Sequence, residues 1–246
     1  MDQVAMMSVS DTSIWAIVPA AGVGRRMGRD IPKQYLPLLQ KTVIEHTLKR
    51  LLAVERINSV IVVLHQHDHY FANLPIAKDP RVLSKTGGDY RSDSVLAALE
   101  SLEKKAKPND WILVHDSVRC CIRTSKIHQL LDQLAENPVG GILAVPSRDT
   151  LKQSNFEGDI LKTLDRNSIW QAQTPQLFRF DILHTALRRA REQQETVNDE
   201  SSAIELMKLQ PHLVEGHYDN IKITHPEDLV IAEAILKQQR CEGEKI

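Results

Sequence analysis

The stretch IWAIVPAAGVGRRMGRDIPKQY, residues 14–35, constrains this chain more than any other. Residues 14–18 are apolar and partly β-branched, and Pro19 bounds them, which reads as a buried strand. That strand empties into Ala20-Ala21-Gly22-Val23-Gly24, where small side chains let backbone N–H groups come close to a ligand. Arg25, Arg26 and Lys33 follow. Amides that take phosphate oxygens, backed by cations that neutralise them, suit a polyphosphate. A plain tight turn is the alternative, and the clustered cations weigh against it. Two better-known glycine loops do not fit. The dinucleotide fingerprint G-x-G-x-x-G fails because Gly28 comes one residue late, and the nearest acidic candidate, Glu45, sits in the helical pattern TVIEHTLKRLL. The ATPase pattern G-x-x-x-x-G-K-[ST] is absent.

A chain of 246 residues has room for one large α/β domain or two small ones, and 42% hydrophobic content is ample for a core. A net charge of −1 gives no global basic field for nucleic acid, so the cations act locally. Cys120 and Cys121 are adjacent, Cys241 stands alone, and no C-x-x-C pair offers a zinc site; the expectation is a reduced, cytoplasmic protein. MDQVAMMSVSDTS lacks a basic start and a long apolar stretch, so residues 1–13 read as a loose tail rather than a signal peptide. No run approaches the ~20 apolar residues of a membrane span, so no membrane partner is expected.

In chain order, residues 42–45 have capping-box form and open a helix to about Leu52. SVIVVL, residues 59–64, is continuous enough for a parallel-sheet strand. His65, His67 and His69 follow it; with no carboxylate or cysteine cluster nearby, a solvated strand end is the better reading than a metal site. TGGDYRSDS, residues 86–94, reads as a second glycine loop feeding a helix from Val95 to about Lys104, with Arg91 and Ser94 at its start, where anions are favoured; a plain turn is the alternative. WILVH, residues 111–115, is another strand, with Asp116 and Arg119 beyond its carboxyl end, where open α/β sheets bind ligands; a surface ion pair is the alternative. Residues 125–136 form an amphipathic helix and residues 141–145 a fourth strand. From 148 to 174 the alternation stops, and two short stretches flank Glu157-Gly158-Asp159, a hairpin signal. An isolated hairpin is marginal in water, which suggests an arm that lies on its own domain or exchanges across a dimer. Residues 179–192 and 199–208 read as helices, and 213–215 and 220–224 as short strands. Asp219 and Lys222 then stand near a strand start, and residues 224–227 form another capping box opening a helix to about Gln239.

Taken together, PAAGVGRRM, PKQY, GGDYRSDSV, VHDSVR, RDT, LDRN, QTPQ, NDESSA and VEGHYDNIKIT, in order from about residue 14 to 235, resemble the 2-C-methyl-D-erythritol 4-phosphate cytidylyltransferase family of the non-mevalonate isoprenoid pathway. The glycine loop alone is shared by sugar-nucleotide transferases at large; the GGD–R–S, VHD–R, LDRN and DNIK set is far more specific. The resemblance implies a Rossmann-like, mostly parallel sheet flanked by helices, with one nucleotidyltransferase domain at 14–240 and a dimer-exchanged β-arm at 148–174. It implies a homodimer, Mg²⁺, and the reaction of CTP with methylerythritol phosphate to give the diphosphocytidyl product and pyrophosphate. By the family's pattern Ala20, Ala21, Gly22 and Gly24 would wrap CTP. Gly88, Asp89 and Ser94 would read the cytosine, and Arg26 and Lys33 would stabilise the transition state. Asp116, Arg119 and Thr150 would contact ribose or sugar phosphate. Lys222 and Arg166, the latter from a second copy's arm, would hold the attacking phosphate near Thr174 and Asp219.

Three departures from that pattern stand out. Asp116-Ser117-Val118-Arg119-Cys120 lacks the usual final proline, Asn198 stands where a threonine would contact the sugar phosphate, and His217 and Tyr218 replace commoner small or basic residues. The chemistry needs no Ser-His-Asp set, because the attacking phosphate oxygen is already anionic; cations and positioning supply most of the catalysis. A transferase using another nucleotide, an NAD-dependent oxidoreductase and a non-catalytic nucleotide-binding protein are the competing readings.

Overall fold

The computed structural model describes residues 12–22 and 31–244. Residues 1–11 of the expected tail, and the loop residues Val23, Gly24, Arg25 and Arg26, lie outside the described residues. Ser13 is already fixed: its N–H donates to Asp110 Oδ1 at 3.0 Å.

In chain order the elements are β1 (Ile14–Pro19), β2 (Pro37–Leu38), β3 (Lys41–Thr42), α1 (Val43–Leu52), β4 (Ser59–Leu64), β5 (Val82–Thr86), α2 (Arg91–Leu102), β6 (Trp111–Val114), α3 (Thr124–Gln133), β7 (Gly140–Pro146), β8 (Lys152–Ser154), β9 (Ile160–Thr163), β10 (Trp170–Arg179), α4 (Phe180–Glu192), α5 (Glu200–Leu206), β11 (His212–Glu215) and α6 (Pro226–Cys241). Among the described residues the main sheet has seven strands in the order β11-β7-β10-β6-β1-β4-β5. β1 pairs in parallel with β4 and β6, β4 with β5, and β11 with β7. β10 alone runs antiparallel, between β6 and β7.

Alternation along the inner strands separates two cores. Ala16 and Val18, Val60 and Val62, and Leu113 face one layer with α1 and α3. Ile17, Ile61, Val63, Ile112 and Val114 face the other with α2, α4 and α5. A third cluster joins Leu36, Val43, Val118 and the free cysteines Cys120 and Cys121 to Ile223 and α6. Helix α1 starts as expected: Glu45 N–H donates to Thr42 Oγ1 at 3.4 Å, and Thr42 N–H donates to Glu45 Oε2 at 2.8 Å. No helix among the described residues is long and apolar enough to cross a membrane.

Four sequence expectations need correcting. Helix α2 begins at Arg91, not Val95, because Asp93 can reach back to the Tyr90 N–H and close the first turn. Residues 220–224 form no strand; Ile223 N–H bonds Val118 O in a loop instead of joining a ladder. The final capping box is one residue out of the expected register: Asp228, rather than Glu227, accepts from Thr224 N–H, Thr224 Oγ1 and His225 N–H. The stretch beyond the expected hairpin belongs to the main sheet. Its legs run on from the β7–β10 ladder, where Trp170 pairs with Pro146, through Ser147 N–H to Ile169 O at 2.9 Å and Leu164 N–H to Leu151 O at 3.0 Å, into the separate β8–β9 pair. Phe156, Ile160 and Leu161 are exposed on it.

Asp110 binds the amino ends of β1 and β6 together. Its buried carboxylate accepts from Ser13 N–H, Lys107 N–H at 2.9 Å and Trp15 Nε1–H at 3.2 Å. Asp110→Ala strands these donors and is expected to cost about 2 kcal/mol or more, read as a fall in the urea midpoint with an unchanged m-value.

Candidate functional site

The strand order reverses between β1 and β6: the chain builds β4 and β5 on one side of β1, then returns to lay β6 on the other. The crevice beyond the carboxyl ends of these two strands is where an open α/β sheet takes a ligand. A cleft of about 350 Å³ lies there, lined by Ala20, Ala21 and Gly22 after β1, Lys33 and Gln34, Gly88, Asp89, Arg91 and Ser94 at the start of α2, Asp116 after β6, and Lys222. His65 after β4 lines it too, so six stretches of sequence supply one cavity.

The loop after β1 is held from below. Gln34, buried in the 3₁₀ turn Lys33–Tyr35, donates from Nε2 to Ala20 O at 2.7 Å and to Gly22 O at 3.2 Å. Ala20 N–H is itself taken by Val63 O at 2.8 Å, so the start of the loop is pinned to β4 as well as to Gln34. The second glycine loop packs tightly on α2: a Cβ at Gly87 would sit 2.5 Å from Ser94 Oγ, and one at Gly88 2.6 Å from Asp93 Cβ. Lys33 Nζ donates to Ile223 O at 3.2 Å, so the loop bearing Lys222 lies against this side of the cavity.

Asp116 is the electrostatic centre. Its Oδ1 accepts from Arg91 Nε at 3.1 Å, and its Oδ2 lies 2.8 Å from Lys222 Nζ and 3.6 Å from Arg119 Nε. Burial pushes the carboxyl up, but Arg91, Lys222 and Arg119 overcome it and hold it well below the usual range. Arg91 also grips buried Glu200 with both terminal nitrogens, Nη1 to Oε1 at 2.7 Å and Nη2 to Oε2 at 3.0 Å. Arg119 Nη1 donates to Asn220 O at 2.7 Å, and Asn220 Nδ2 donates to Thr174 O at 2.8 Å. Below the cleft, Asp116 N–H donates to Thr174 Oγ1 at 3.0 Å. Thr174 Oγ1 lies 3.0 Å from His115 Nδ1, and His115 Nε2 lies 3.1 Å from Arg119 O. One proton arrangement satisfies the set: the threonine hydroxyl donates to Nδ1, and Nε2–H donates to the carbonyl. Thr174 reaches this place because the β7–β10 register shifts between Ala172 and Gln176, a bulge that takes residues 173–175 out of the ladder.

The expected site residues therefore sort by place. Ala20, Ala21, Gly22, Lys33, Gly88, Asp89, Arg91, Ser94, Asp116 and Lys222 line the cleft, with Arg119 and Thr174 supporting it. Gly24 and Arg26 fall outside the described residues. Arg91, expected as an anion ligand, has its guanidinium engaged by two carboxylates. Asp219 turns away from Lys222: Oδ2 accepts from Arg123 Nε at 2.7 Å and Gln239 Nε2 at 2.9 Å, while Oδ1 lies 2.6 Å from His217 Nδ1. Thr150, Arg166 and Asn198 do not line the cleft; Arg166 Nη1 donates to Arg148 O at 2.9 Å. Gln34, His115 and Glu200 went unread, although PKQY, VHD and NDESSA contain them; a polar residue beside a recognised ligand was the available signal.

No group of three or more His, Cys, Asp or Glu side chains that could share a metal ion occurs among the described residues. Both Asp116 oxygens are taken by cations, which leaves Asp89 as the other carboxylate of the cleft. This donor set does not make a protein-held Mg²⁺ site.

Comparison with known proteins places these features in context. Residues 14–238 match the family model described as 2-C-methyl-D-erythritol 4-phosphate cytidylyltransferase. A protein of that name from Hahella chejuensis is 47% identical over 237 residues, covering 96% of this chain and 98% of that one. A crystal structure described as 4-diphosphocytidyl-2C-methyl-D-erythritol synthase superposes with a TM-score of 0.79 at 36% identity, over 92% of this chain and 99% of that one. The Francisella tularensis 2-C-methyl-D-erythritol 4-phosphate cytidylyltransferase structure gives 0.78 at 34% identity, over 91% and 100%.

Burial pushes His115 from 6.5 down to about 4, against the opposing pull of Asp116 and its bond to Arg119 O. Between those values the unfolded chain binds the proton and the folded protein does not. Stability therefore falls as pH drops through that window. His115→Gln removes the group, so its urea midpoint should decline less between about pH 7 and about pH 4.5 than that of the wild type. Equal declines would mean that His115 is protonated in the folded protein.

Proposed function

The chain belongs to the 2-C-methyl-D-erythritol 4-phosphate cytidylyltransferase family, and from that premise we propose that the cleft beyond β1 and β6 binds CTP beside methylerythritol 4-phosphate in a cytoplasmic homodimer. The observation that carries this reading is the convergence of the small-residue loop, Lys33, the Gly88–Asp89 loop, Asp116 and Lys222 on one cavity.

In this reading an anionic oxygen of the acceptor phosphate attacks the α-phosphorus of CTP in line. The new P–O bond forms as the bond to the β-phosphate oxygen breaks, and pyrophosphate leaves with that electron pair. No general base is required. The amides of Ala21 and Gly22 take the triphosphate, and Lys33 and Arg26 offset charge that builds on the α-phosphate and leaving group. The Gly88–Asp89 loop and Ser94 take the base. Asp116, kept ionised, accepts from ribose hydroxyls. Lys222 and Arg166 draw the acceptor phosphate against the repulsion between two anions, with Arg119, Thr174, Thr150, Asn198 and Asp219 supporting that side. Mg²⁺ belongs to the proposal only as the ion that accompanies the triphosphate, since the described side chains do not build a site for it.

The decisive assay is pyrophosphate release with Mg²⁺ and methylerythritol 4-phosphate, run in parallel with CTP, UTP, ATP and GTP. Acceptor-dependent release with CTP alone is expected; release with a different nucleotide would move the reading to a related transferase. Lys33→Ala and Lys222→Ala should each lower kcat about 10²-fold, the scale of losing one preorganised charge, and an unchanged kcat would remove the role. Exchanged arms predict complementation. In a mixed dimer of Arg166→Ala and Lys222→Ala chains, one of the two sites regains both residues, and roughly a quarter of wild-type activity should return in an equimolar mixture. Arms acting on their own chain would return none.

A further inference from the structure

Positions 217 and 218 are among those where the sequence departs from the family pattern, and Tyr218 occupies a junction. It stands two residues beyond Gly216, whose backbone packs so closely on Gln173 that a Cβ there would lie 2.4 Å from Oε1. It precedes the loop that carries Lys222. The Tyr218 hydroxyl donates to Pro146 O, at the end of β7, at 2.7 Å. The face of its ring carries the Arg148 guanidinium, with Cζ 3.3 Å from the centroid. Arg148 in turn accepts at its carbonyl from Arg166 Nη1. Two residues beyond Tyr218, Asn220 is tied to Thr174 O, and Arg119 is tied to Asn220 O. The ring thus stands between the root of the hairpin and the loop under Lys222.

We infer that Tyr218 is a positioning residue that clamps the hairpin root to the Lys222 loop, fixing where Arg148 and Arg166 depart relative to the acceptor side of the site. The inference rests on the functional reading above and deepens it. A hydrogen bond from the ring edge sets the ring's height over Pro146, and stacking on its face sets the direction of Arg148. Neither contact touches the nucleotide loops, so the effect falls on the acceptor. The clamp holds whether the arm serves its own chain or a second copy, because it acts at the point where the arm leaves the sheet.

The test uses Tyr218→Leu, which removes both contacts, and Tyr218→Phe, which keeps the stacked ring. Each substrate is varied in steady state, and amide hydrogen exchange is followed over residues 147–151. Tyr218→Leu should raise KM for methylerythritol 4-phosphate about tenfold, as expected for losing a cation–π contact and a hydrogen bond together. KM for CTP should stay level, and the 147–151 amides should exchange faster. Tyr218→Phe should recover most of the loss. An unchanged acceptor KM in Tyr218→Leu, or equal rises for both substrates, would overturn the inference, the second because it marks general damage. If the wild type released no pyrophosphate, the failure would lie with the functional reading. Exchange would then decide the clamp alone: faster exchange in Tyr218→Leu would uphold it and unchanged exchange would refute it.

Discussion

One buried carboxylate holds this site together. Asp116 meets Arg91, Arg119 and Lys222 through its oxygens and Thr174 through its backbone N–H. These partners come from α2, the turn after β6, the last loop before α6 and the bulge in β10. Magnitude explains why the arrangement matters. An exposed ion pair contributes at most about 1 kcal/mol, whereas breaking a buried one strands a charge at about 3–5 kcal/mol. Asp116 and Glu200 are buried, and Arg91 lies between them, so losing Arg91 would strand two buried carboxylates. Lys222 is the most exposed of the charged partners, so water screens its pair with Asp116 more than it screens those of Arg91 and Arg119.

Much of the frame was legible because burial writes itself into composition. The strands at 14–19, 59–64, 111–114 and 140–146 are continuous apolar runs, and the Thr42–Glu45 box marks α1 to the residue. β5 and β10 were not legible, for different reasons. β5 is an edge strand whose later residues are exposed, so VLSKT carries no alternation. β10 begins WQAQTPQ, polar side chains and a proline, because its first residues are exposed and residues 173–175 leave the ladder beside the cleft. Only its second half, with Leu177 and Phe178 in the cores, reads as a strand. The error at 220–224 runs the other way. Ile221, Ile223 and Thr224 are strand-prone residues, but Asn220 and Ile223 spend their hydrogen bonds on neighbouring loops.

In the site, the residues that face the cavity were read more readily than those that aim them. Cavity-lining groups follow recognisable small-residue and charge patterns. Their supports are ordinary buried polar residues, known only from what the fold sets opposite them: Gln34 under two carbonyls, His115 between a hydroxyl and a carbonyl, Glu200 across Arg91. Asp219 shows the reverse. Its spacing from Lys222 suggests a pair, but the end of α6 brings Gln239 within reach, and Arg123 completes a separate network.

The hairpin's attachment has a mechanical consequence. β8 and β9 form a sheet of their own, joined to β7 and β10 through residues 147–151 and 164–169, one leg of which contains the 3₁₀ turn Arg166–Ser168. The backbone bonds Ser147 N–H to Ile169 O and Leu164 N–H to Leu151 O bridge those legs. An outrigger joined in this way magnifies angle into distance: a small change in backbone angle in the legs displaces Phe156 at the tip far more than Trp170 at the root.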